Sequence, residues 1–213
     1  MDFNYHRRKL ISKLKKEGYI KTGEIEQSFF EIPREKFVPE NLYSSAYDDN
    51  PLEIGYGQTI SAPHMVAIMC EELNLKVGQK ILEIGSGSGY HAAIVSKIIG
   101  KEGHVFSIER ISSLANFAKN NLMKSGINNV DIILGDGSRG FKEKAPYDRI
   151  YVTCAAPRIP SILIEQLKDP GKMIVPVGNI ICSLNSLEKY EGKMIVNTLG
   201  GCAFVPMIGK NGY

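Results

Sequence analysis

The sequence predicts an α/β fold with a Rossmann-like, doubly wound, mostly parallel sheet, an N-terminal helical extension and an antiparallel C-terminal edge. Three observations lead to this prediction. Short apolar strands alternate with helices from residue 80 onward. A glycine-rich turn joins the first of these strands to the helix that follows it. Two alternating segments joined by a turn come near the end of the chain.

The N-terminal segment, residues 1–60, is predicted to contain two helices followed by irregular chain. Apolar residues repeat at helical spacing up to Gly18, which is expected to cap the first helix. A second helix should begin near Thr22, with acidic residues in its first turn. Prolines and turn-forming residues interrupt the chain over 33–52, and Gly55–Gly57 predicts a flexible connection up to Ser61.

The central segment, residues 61–180, is predicted to be the cofactor-binding core. Ser61 is expected to cap a helix whose first turn contains Pro63. The elements that follow are predicted as strand, helix, strand, helix, strand, strand, helix and strand. In that order they are Lys80–Ile84, Tyr90–Ile99, His104–Glu109, Ser112–Ser125, Val130–Leu134, Asp148–Thr153, Ile159–Leu167 and Met173–Val177. Such alternation is typical of a parallel sheet covered by helices on both faces.

The C-terminal segment, residues 181–213, is predicted to add a hairpin to the edge of the sheet. Leu184–Lys189 and Lys193–Leu199 flank a turn at residues 190–192. No linker, repeat or low-complexity stretch interrupts the chain. Residues 1–213 are therefore predicted to form a single domain.

Composition argues against several classes of protein. Lysine and arginine total 26 against 23 acidic residues, and a net charge of +3 is too small for the basic face of a nucleic-acid-binding protein. No apolar run approaches the ~20 residues of a membrane span, and the N-terminus lacks a signal peptide. The four cysteines lie far apart, without zinc-ligand spacing: Cys70, Cys154, Cys182 and Cys202. We therefore expect a cytoplasmic protein without a metal, nucleic-acid or membrane partner.

The glycine-rich turn Gly85–Gly89 is the strongest local signal for a ligand. Tyr90 stands where a dinucleotide turn has its third glycine, and no Gly-Lys-Ser or Gly-Lys-Thr follows to bind phosphate. Glu83 precedes the turn by two residues and would repel a pyrophosphate. S-adenosylmethionine instead carries a sulfonium and an ammonium, which a carboxylate attracts. The alternative, compatible with this one, is that Glu83 anchors the backbone of the turn.

Acidic residues also follow the next two predicted strands. Glu109 ends the second strand, where it is placed to accept hydrogen bonds from both ribose hydroxyls. Its alternative is a surface ion pair with Arg110. Gly135 and Asp136 follow the third strand, and the Asp136 carboxylate could accept from an adenine amino group. Its alternative is a simple Asp-Gly turn.

The segment Gln58–Met65, Gln-Thr-Ile-Ser-Ala-Pro-His-Met, resembles the protein-L-isoaspartate (D-aspartate) O-methyltransferases. The resemblance extends from about Gly23 to about Gly209. Shorter matches support it at residues 33–39, 135–137, 145–148, 155–157, 176–178 and 204–206. It implies a class I methyltransferase that uses S-adenosyl-L-methionine, yields S-adenosyl-L-homocysteine and needs no metal. The acceptor it implies is the free α-carboxylate of L-isoaspartyl residues in damaged proteins, whose ester closes to a succinimide during repair.

The resemblance also suggests roles for individual residues. Ser61 is the implied catalytic residue. The expected cofactor-binding residues are Gln58, Thr59, Ile60, Glu83, Gly85, Ser86, Gly87, Ser88, Glu109, Arg110, Gly135 and Asp136. The expected substrate-binding residues are Thr59, Ser61, His64 and Val177.

The expected chemistry is direct attack of a carboxylate on the sulfonium methyl, which needs no general base because a carboxylate is already ionised at neutral pH. Ser61, at the start of a helix, would donate its hydroxyl proton to that carboxylate, and Thr59 could add a second donor. The alternative for Ser61 is that it only caps the helix. A histidine in the first turn of a helix is more often structural than catalytic, and we expect this of His64. Tyr90 either packs over the cofactor or is an ordinary aromatic on the face of a helix.

Two rival functions are weighed against this interpretation. A nucleic-acid amino-methyltransferase tends to carry Asn/Asp-Pro-Pro-Tyr after the fourth strand, where this chain has Thr153–Pro157, and the Pro-Cys of pyrimidine C5 enzymes does not occur. A catalytically silent module that binds the nucleoside for regulation is disfavoured by the intact Gln58–Met65 segment. A monomer is expected.

Overall fold

The structure is a computed structural model that describes residues 1–179 and 181–213. Its helices are α1 (Phe3–Lys16), α2 (Gly23–Glu31), α3 (Pro63–Leu73), α4 (Tyr90–Ile99), α5 (Ser112–Lys124) and α6 (Ser161–Glu165). Its strands are β1 (Leu52–Gly55), β2 (Gln58–Ile60), β3 (Lys80–Ile84), β4 (His104–Glu109), β5 (Val130–Leu134), β6 (Tyr147–Val152), β7 (Leu167–Gly178), β8 (Cys182–Tyr190) and β9 (Lys193–Cys202). The predicted segment boundary at residue 180 lies outside the described residues.

The main sheet has seven strands in the order β5-β4-β3-β6-β7-β8-β9. Strands β3 to β7 run parallel, whereas β8 and β9 pair antiparallel at one edge, which confirms the predicted architecture. The chain moves outward from β3 to β5 and then returns to the other side of β3 as β6. A crevice therefore opens at the carboxyl ends of β3 and β6, where ligands bind in open α/β sheets.

Both faces of the central strands are buried, so each strand is apolar along most of its length. Neighbouring residues point to opposite faces: Ile81 packs into an apolar cluster that includes Leu14 of α1, and Leu82 packs into a second cluster that includes Met173 of β7. A register shift of one residue would place each set of side chains in the cluster that packs around the other. Packing on both faces therefore fixes the register of each strand, and with it the position of the residues at the crevice.

Predicted and observed bounds agree residue for residue at β3, β4, β5 and α4. The helix predicted over Ile159–Leu167 is present but shorter, because only Ser161–Glu165 is helical and β7 already begins at Leu167. Leu167 pairs with Tyr147 of β6, and its side chain is buried. Pairing with a neighbouring strand here outweighs the local helical pattern.

The connection before Ser61 is also more ordered than predicted. Strands β1 and β2 form a short antiparallel hairpin in which Leu52 opposes Ile60. The turn between them has positive φ values at Gly55 (93°), Tyr56 (56°) and Gly57 (68°). Glycine tolerates this left-handed region, so the glycines on either side of Tyr56 make the reversal possible.

The start of α3 differs from the prediction. Ala62, not Ser61, occupies the N-cap position, and Pro63 begins the helix as expected. The capping acceptor comes instead from a distant loop, because Oδ1 of Asp49 accepts a hydrogen bond from the His64 backbone N–H at 2.9 Å. Within residues 1–179 and 181–213, no hydrogen bond occupies the Ser61 side chain. No helix in the described ranges is long and apolar enough to cross a membrane.

Candidate active site

Two adjoining cavities lie at the carboxyl ends of β3, β4 and β6. The outer cavity has a volume of about 550 Å³ and the inner cavity about 330 Å³. Both are lined by Thr59, Gly85, Gly87 and Thr153, so they meet along β2 and the glycine-rich turn.

Most of the sequence-predicted site residues line these cavities. Those at the outer cavity are Gln58, Thr59, Gly85, Gly87, Glu109 and Arg110. Those at the inner cavity are Thr59, Ile60, Ser61, Glu83, Gly85, Ser86, Gly87 and Ser88. The structure thus brings together residues from β2, β3, β4 and the turn after β3, which lie far apart in the sequence.

The glycine-rich turn allows close approach at Gly85, whose φ is 98°. A Cβ atom at this position would overlap the hydroxyl oxygen of Thr153. That hydroxyl donates a hydrogen bond to the Gly85 carbonyl at 2.6 Å, which joins the end of β6 to the turn. Glycine is therefore required at residue 85 by both the backbone conformation and the space available.

Glu109 is held rigidly at the wall of the outer cavity. Its Oε2 accepts from the Gly87 N–H at 3.0 Å, and its Oε1 accepts from the Ile111 N–H at 2.9 Å. Among the described residues, Arg110 makes no ion pair with Glu109. The alternative that Glu109 only forms a surface ion pair with Arg110 is therefore not what the structure shows. Each carboxylate oxygen keeps a free lone pair, which suits a ligand with two adjacent hydroxyls.

Glu83 lines the inner cavity and is completely buried. Its Oε2 accepts a hydrogen bond from the Ser107 hydroxyl, which also lies 2.5 Å from the Ser86 hydroxyl. In the described part of the chain, Oε1 has no partner. Burial raises the pKa of Glu83 to about 8, opposed by the Ser107 hydrogen bond and assisted by the charge on Glu109. A buried carboxyl in the wall of this cavity fits a cationic ligand group, which would favour its ionised form.

We expect Glu83→Gln to change stability only at higher pH in the protein without ligand. Because the folded-state pKa of Glu83 lies above the unfolded value, its contribution is fully present below about pH 4.5 and is lost as pH rises towards 8. The neutral glutamine avoids this loss, so the variant should be more stable at pH 8 by on the order of 4 kcal/mol and change by less than about 1 kcal/mol at pH 5. Urea unfolding at both pH values measures the difference, with exposed Glu24→Gln as the control. An equal difference in unfolding free energy at pH 5 and pH 8 would contradict this expectation.

Asp136 has a different environment from the one predicted. Its Oδ1 accepts from the Ser138 N–H at 3.0 Å, and its Oδ2 accepts from the Lys210 N–H at 2.9 Å. Partial burial acts to raise the pKa of Asp136, but these hydrogen bonds outweigh burial and lower the pKa. They also hold the C-terminal tail in place. Neither Gly135 nor Asp136 lines the two cavities, although Gly137 and Ser138 line the outer one. Asp136 thus anchors the C-terminal tail, and its contact with adenine stays a prediction.

His64 and Val177 also lie outside both cavities. The His64 ring nitrogen Nδ1 lies 2.9 Å from Asp49, and its ring packs against Tyr19 at 5.4 Å between centroids. Val177 pairs with Ser183 in the sheet. Tyr90 is buried against Phe37 and also lines the inner cavity. It therefore belongs both to the core and to the cavity wall.

Sequence reasoning missed the C-terminal contribution to the outer cavity. Val205–Ile208 lines it, together with Thr153 and Cys154 after β6. The backbone holds this segment in place, since Ala155 donates to the Val205 carbonyl at 2.8 Å and accepts from the Met207 N–H at 2.8 Å. The short matches to the family at residues 155–157 and 204–206 could have pointed to this part of the cavity. Nothing in the sequence indicated that these two segments meet.

Comparison with known proteins places this geometry in a family. A family model described as protein-L-isoaspartate(D-aspartate) O-methyltransferase matches residues 5–212. The chain belongs to this family. A protein-L-isoaspartate O-methyltransferase of Methanococcus aeolicus is 54% identical over 196 residues, covering 92% of this chain and 91% of the relative. One from Methanopyrus kandleri is 50% identical and covers 99% of this chain and 95% of the relative.

Solved structures agree with the family assignment. A protein-L-isoaspartate O-methyltransferase superposes with a TM-score of 0.85 at 34% identity, over 96% of this chain and 66% of that chain. A putative protein-L-isoaspartate O-methyltransferase from Plasmodium falciparum, in complex with S-adenosyl-L-homocysteine, superposes with a TM-score of 0.85 at 29% identity, over 95% of this chain and 98% of that chain. The family member described here is an S-adenosylmethionine-dependent methyltransferase with the class I fold. In the described ranges, no group of three or more His, Cys, Asp and Glu side chains could hold a metal ion.

Proposed function

We propose that this isoaspartyl methyltransferase uses Ser61 to position the free α-carboxylate of an L-isoaspartyl residue for methyl esterification. The observation that supports this most directly is the free Ser61 hydroxyl on the wall of the inner cavity. That cavity adjoins the one walled by Glu109 and the glycine-rich turn. Acceptor and methyl donor can therefore meet where the two cavities join.

S-adenosylmethionine fits the residues that line the outer cavity. The Glu109 carboxylate would accept from its ribose hydroxyls, and Ile84 and Ile108 offer apolar walls for the base. A cationic group bound beside Glu83 would favour the ionised form of this buried carboxyl and be stabilised by it. When bound, the cofactor supplies a methyl group on a cationic sulfur that is open to attack by a carboxylate oxygen.

Ser61 would hold the attacking carboxylate without neutralising it. A carboxylate is ionised at neutral pH, so no residue has to remove a proton. A hydroxyl donor orients one oxygen and leaves the charge on the other, whereas an arginine would reduce its nucleophilicity. The rate gain then comes from alignment. The N-terminus of α3 attracts the carboxylate less than expected, because the His64 N–H already donates a hydrogen bond to Asp49.

The inner cavity also excludes water from the acceptor. Ile60, Val66 and Tyr90 are buried around it. Removing water from an anion raises its reactivity and strengthens the hydrogen bond from Ser61. Since burial lowers the pKa of His91 to about 3, this histidine is neutral at pH 7. It therefore adds no positive charge that would neutralise the attacking carboxylate.

We also propose that residues 1–213 act as a single domain, with 1–60 covering the core of 61–180 and with 181–213 completing its edge. Support comes from one apolar cluster that joins Leu14, Ile81 and Leu184 from the three segments. A monomer is proposed because residues of one chain form both cavities. The free cysteines in the described ranges fit a cytoplasmic site of action.

Matched peptides test the acceptor. Two peptides that differ only in Asp or L-isoAsp at one position are incubated with methyl-labelled cofactor, and base-labile methyl ester is counted. We expect labelling of the isoaspartyl peptide and about a hundredfold less of the aspartyl peptide, because the latter presents its carboxylate on a differently placed carbon. Equal labelling would remove the repair function and leave methyl transfer intact.

A further inference from the structure

Two of the four cysteines face each other across the antiparallel edge of the sheet. Cys182 is the first residue of β8 and Cys202 the last of β9, and the register pairs them directly. The Cys202 Sγ lies 3.5 Å from the Cys182 carbonyl oxygen. Directly opposed residues on antiparallel strands have Cα atoms about 4.5–5.5 Å apart, which lies within the span of a disulfide.

The end of β9 is a place where a cross-link would have a structural effect. Strand β9 is the outermost strand, and most of its residues are exposed on both faces. Gly200 and Gly201 precede Cys202, and glycines weaken the end of a strand. From Cys202 the chain continues to Val205, where it becomes part of the outer cavity wall. A bond at Cys202 would therefore hold both the edge strand and the start of that wall.

We propose that Cys182 and Cys202 form a reversible cross-strand disulfide when the protein meets a small-molecule disulfide oxidant. The thiolate of the more exposed Cys202 attacks the oxidant and expels one thiolate, which gives a mixed disulfide. The Cys182 thiol, which donates to the Asn179 carbonyl at 3.2 Å, then attacks the Cys202 sulfur, and the expelled second thiolate takes up its proton. Two protein thiols and one disulfide thus become one protein disulfide and two small thiols.

The other two cysteines lie on other elements of the fold. Cys70 is buried on α3, and Cys154 lines the outer cavity with little exposure. Cys182 is buried as well, so Cys202 is the cysteine that an oxidant meets first. Burial raises the pKa of Cys154 to about 12 and that of Cys70 further, so both stay as thiols. Burial, together with Cys182, raises the pKa of Cys202 to about 11. Oxidation is therefore slow at neutral pH, and its rate should rise nearly tenfold per pH unit between 7 and 9.

Oxidised glutathione added to the folded full-length chain tests the proposal. After blocking of free thiols, intact mass should show the loss of two hydrogens, and unreduced peptide mapping should join the peptides that contain Cys182 and Cys202. The melting temperature should rise by about 5 °C, because a bond across this loop constrains the unfolded chain, and should fall again after reduction.

Single variants distinguish the pair from other thiols. Cys182→Ser should stop at the mixed disulfide, Cys202→Ser should react no faster than the buried cysteines, and Cys70→Ser should still cross-link. The proposal is overturned by a persistent mixed disulfide in the unsubstituted protein, by a cross-link that involves another cysteine, or by four thiols that survive oxidation at pH 9. Each of these results is independent of methyl transfer.

Discussion

Replacing Ser61 with alanine should lower the turnover number for an isoaspartyl peptide roughly a hundredfold while the protein remains folded. The expected loss corresponds to the removal of one positioned donor from a water-poor site. Stability should change by less than about 0.5 kcal/mol, because Ala62 occupies the cap position and no hydrogen bond to Ser61 within the described ranges is lost. Steady-state kinetics with labelled cofactor and a thermal melt measure the two quantities.

The controls for Ser61 separate a direct contact from a structural effect. Ser61→Thr keeps the hydroxyl and should recover much of the lost turnover. Ser12→Ala, on the exposed face of α1, should change nothing. Cofactor affinity should be unaltered in all three variants, since Ser61 is assigned to the acceptor. Full turnover in a folded Ser61→Ala protein would end the assignment.

Replacing Glu109 with glutamine should weaken the binding of S-adenosylmethionine roughly a hundredfold. The carboxylate accepts backbone hydrogen bonds from Gly87 and Ile111, so an amide nitrogen in place of either oxygen would face an N–H donor. The ribose hydroxyls would also lose a charged acceptor, and a hydrogen bond to a charged group contributes about 1.5–3 kcal/mol. Titration calorimetry measures the dissociation constant.

S-adenosylhomocysteine provides an internal comparison for Glu109. Since it has the same ribose, its affinity should fall by the same factor, whereas a change at Glu83 should affect the cationic cofactor more strongly. Glu102→Gln, on the exposed turn before β4, is the matched surface control. If Glu109→Gln bound both compounds normally, the ribose would have to contact another group.

Part of the site was predictable because it depends on local pattern. The bounds of β3 and β4 follow from short apolar runs that end in a glycine-rich turn or an acid. In a parallel sheet these carboxyl ends lie on one edge, so Glu83 and Glu109 were expected near the same ligand. Both line the cavities.

Contacts between distant segments were not predictable in this way. The Asp49 carboxylate replaces Ser61 as the cap of α3, and Asp136 binds the backbone of Lys210. Each contact joins residues whose separation in the chain carries no periodic signal. Local propensity gives each of these side chains several possible partners, and only packing selects among them.

The sequence by itself determined the alternation of strands and helices, the glycine-rich turn and the acids that follow the strands. These depend on periodicity and on backbone conformations that glycine adopts more readily than other residues, and both act over a few residues. Only the tertiary structure decided that the Ser61 hydroxyl stays free within the described residues, that Asp136 anchors the tail and that Val205–Ile208 lines the outer cavity. Those outcomes depend on which surfaces are buried together, and burial is a property of the whole chain.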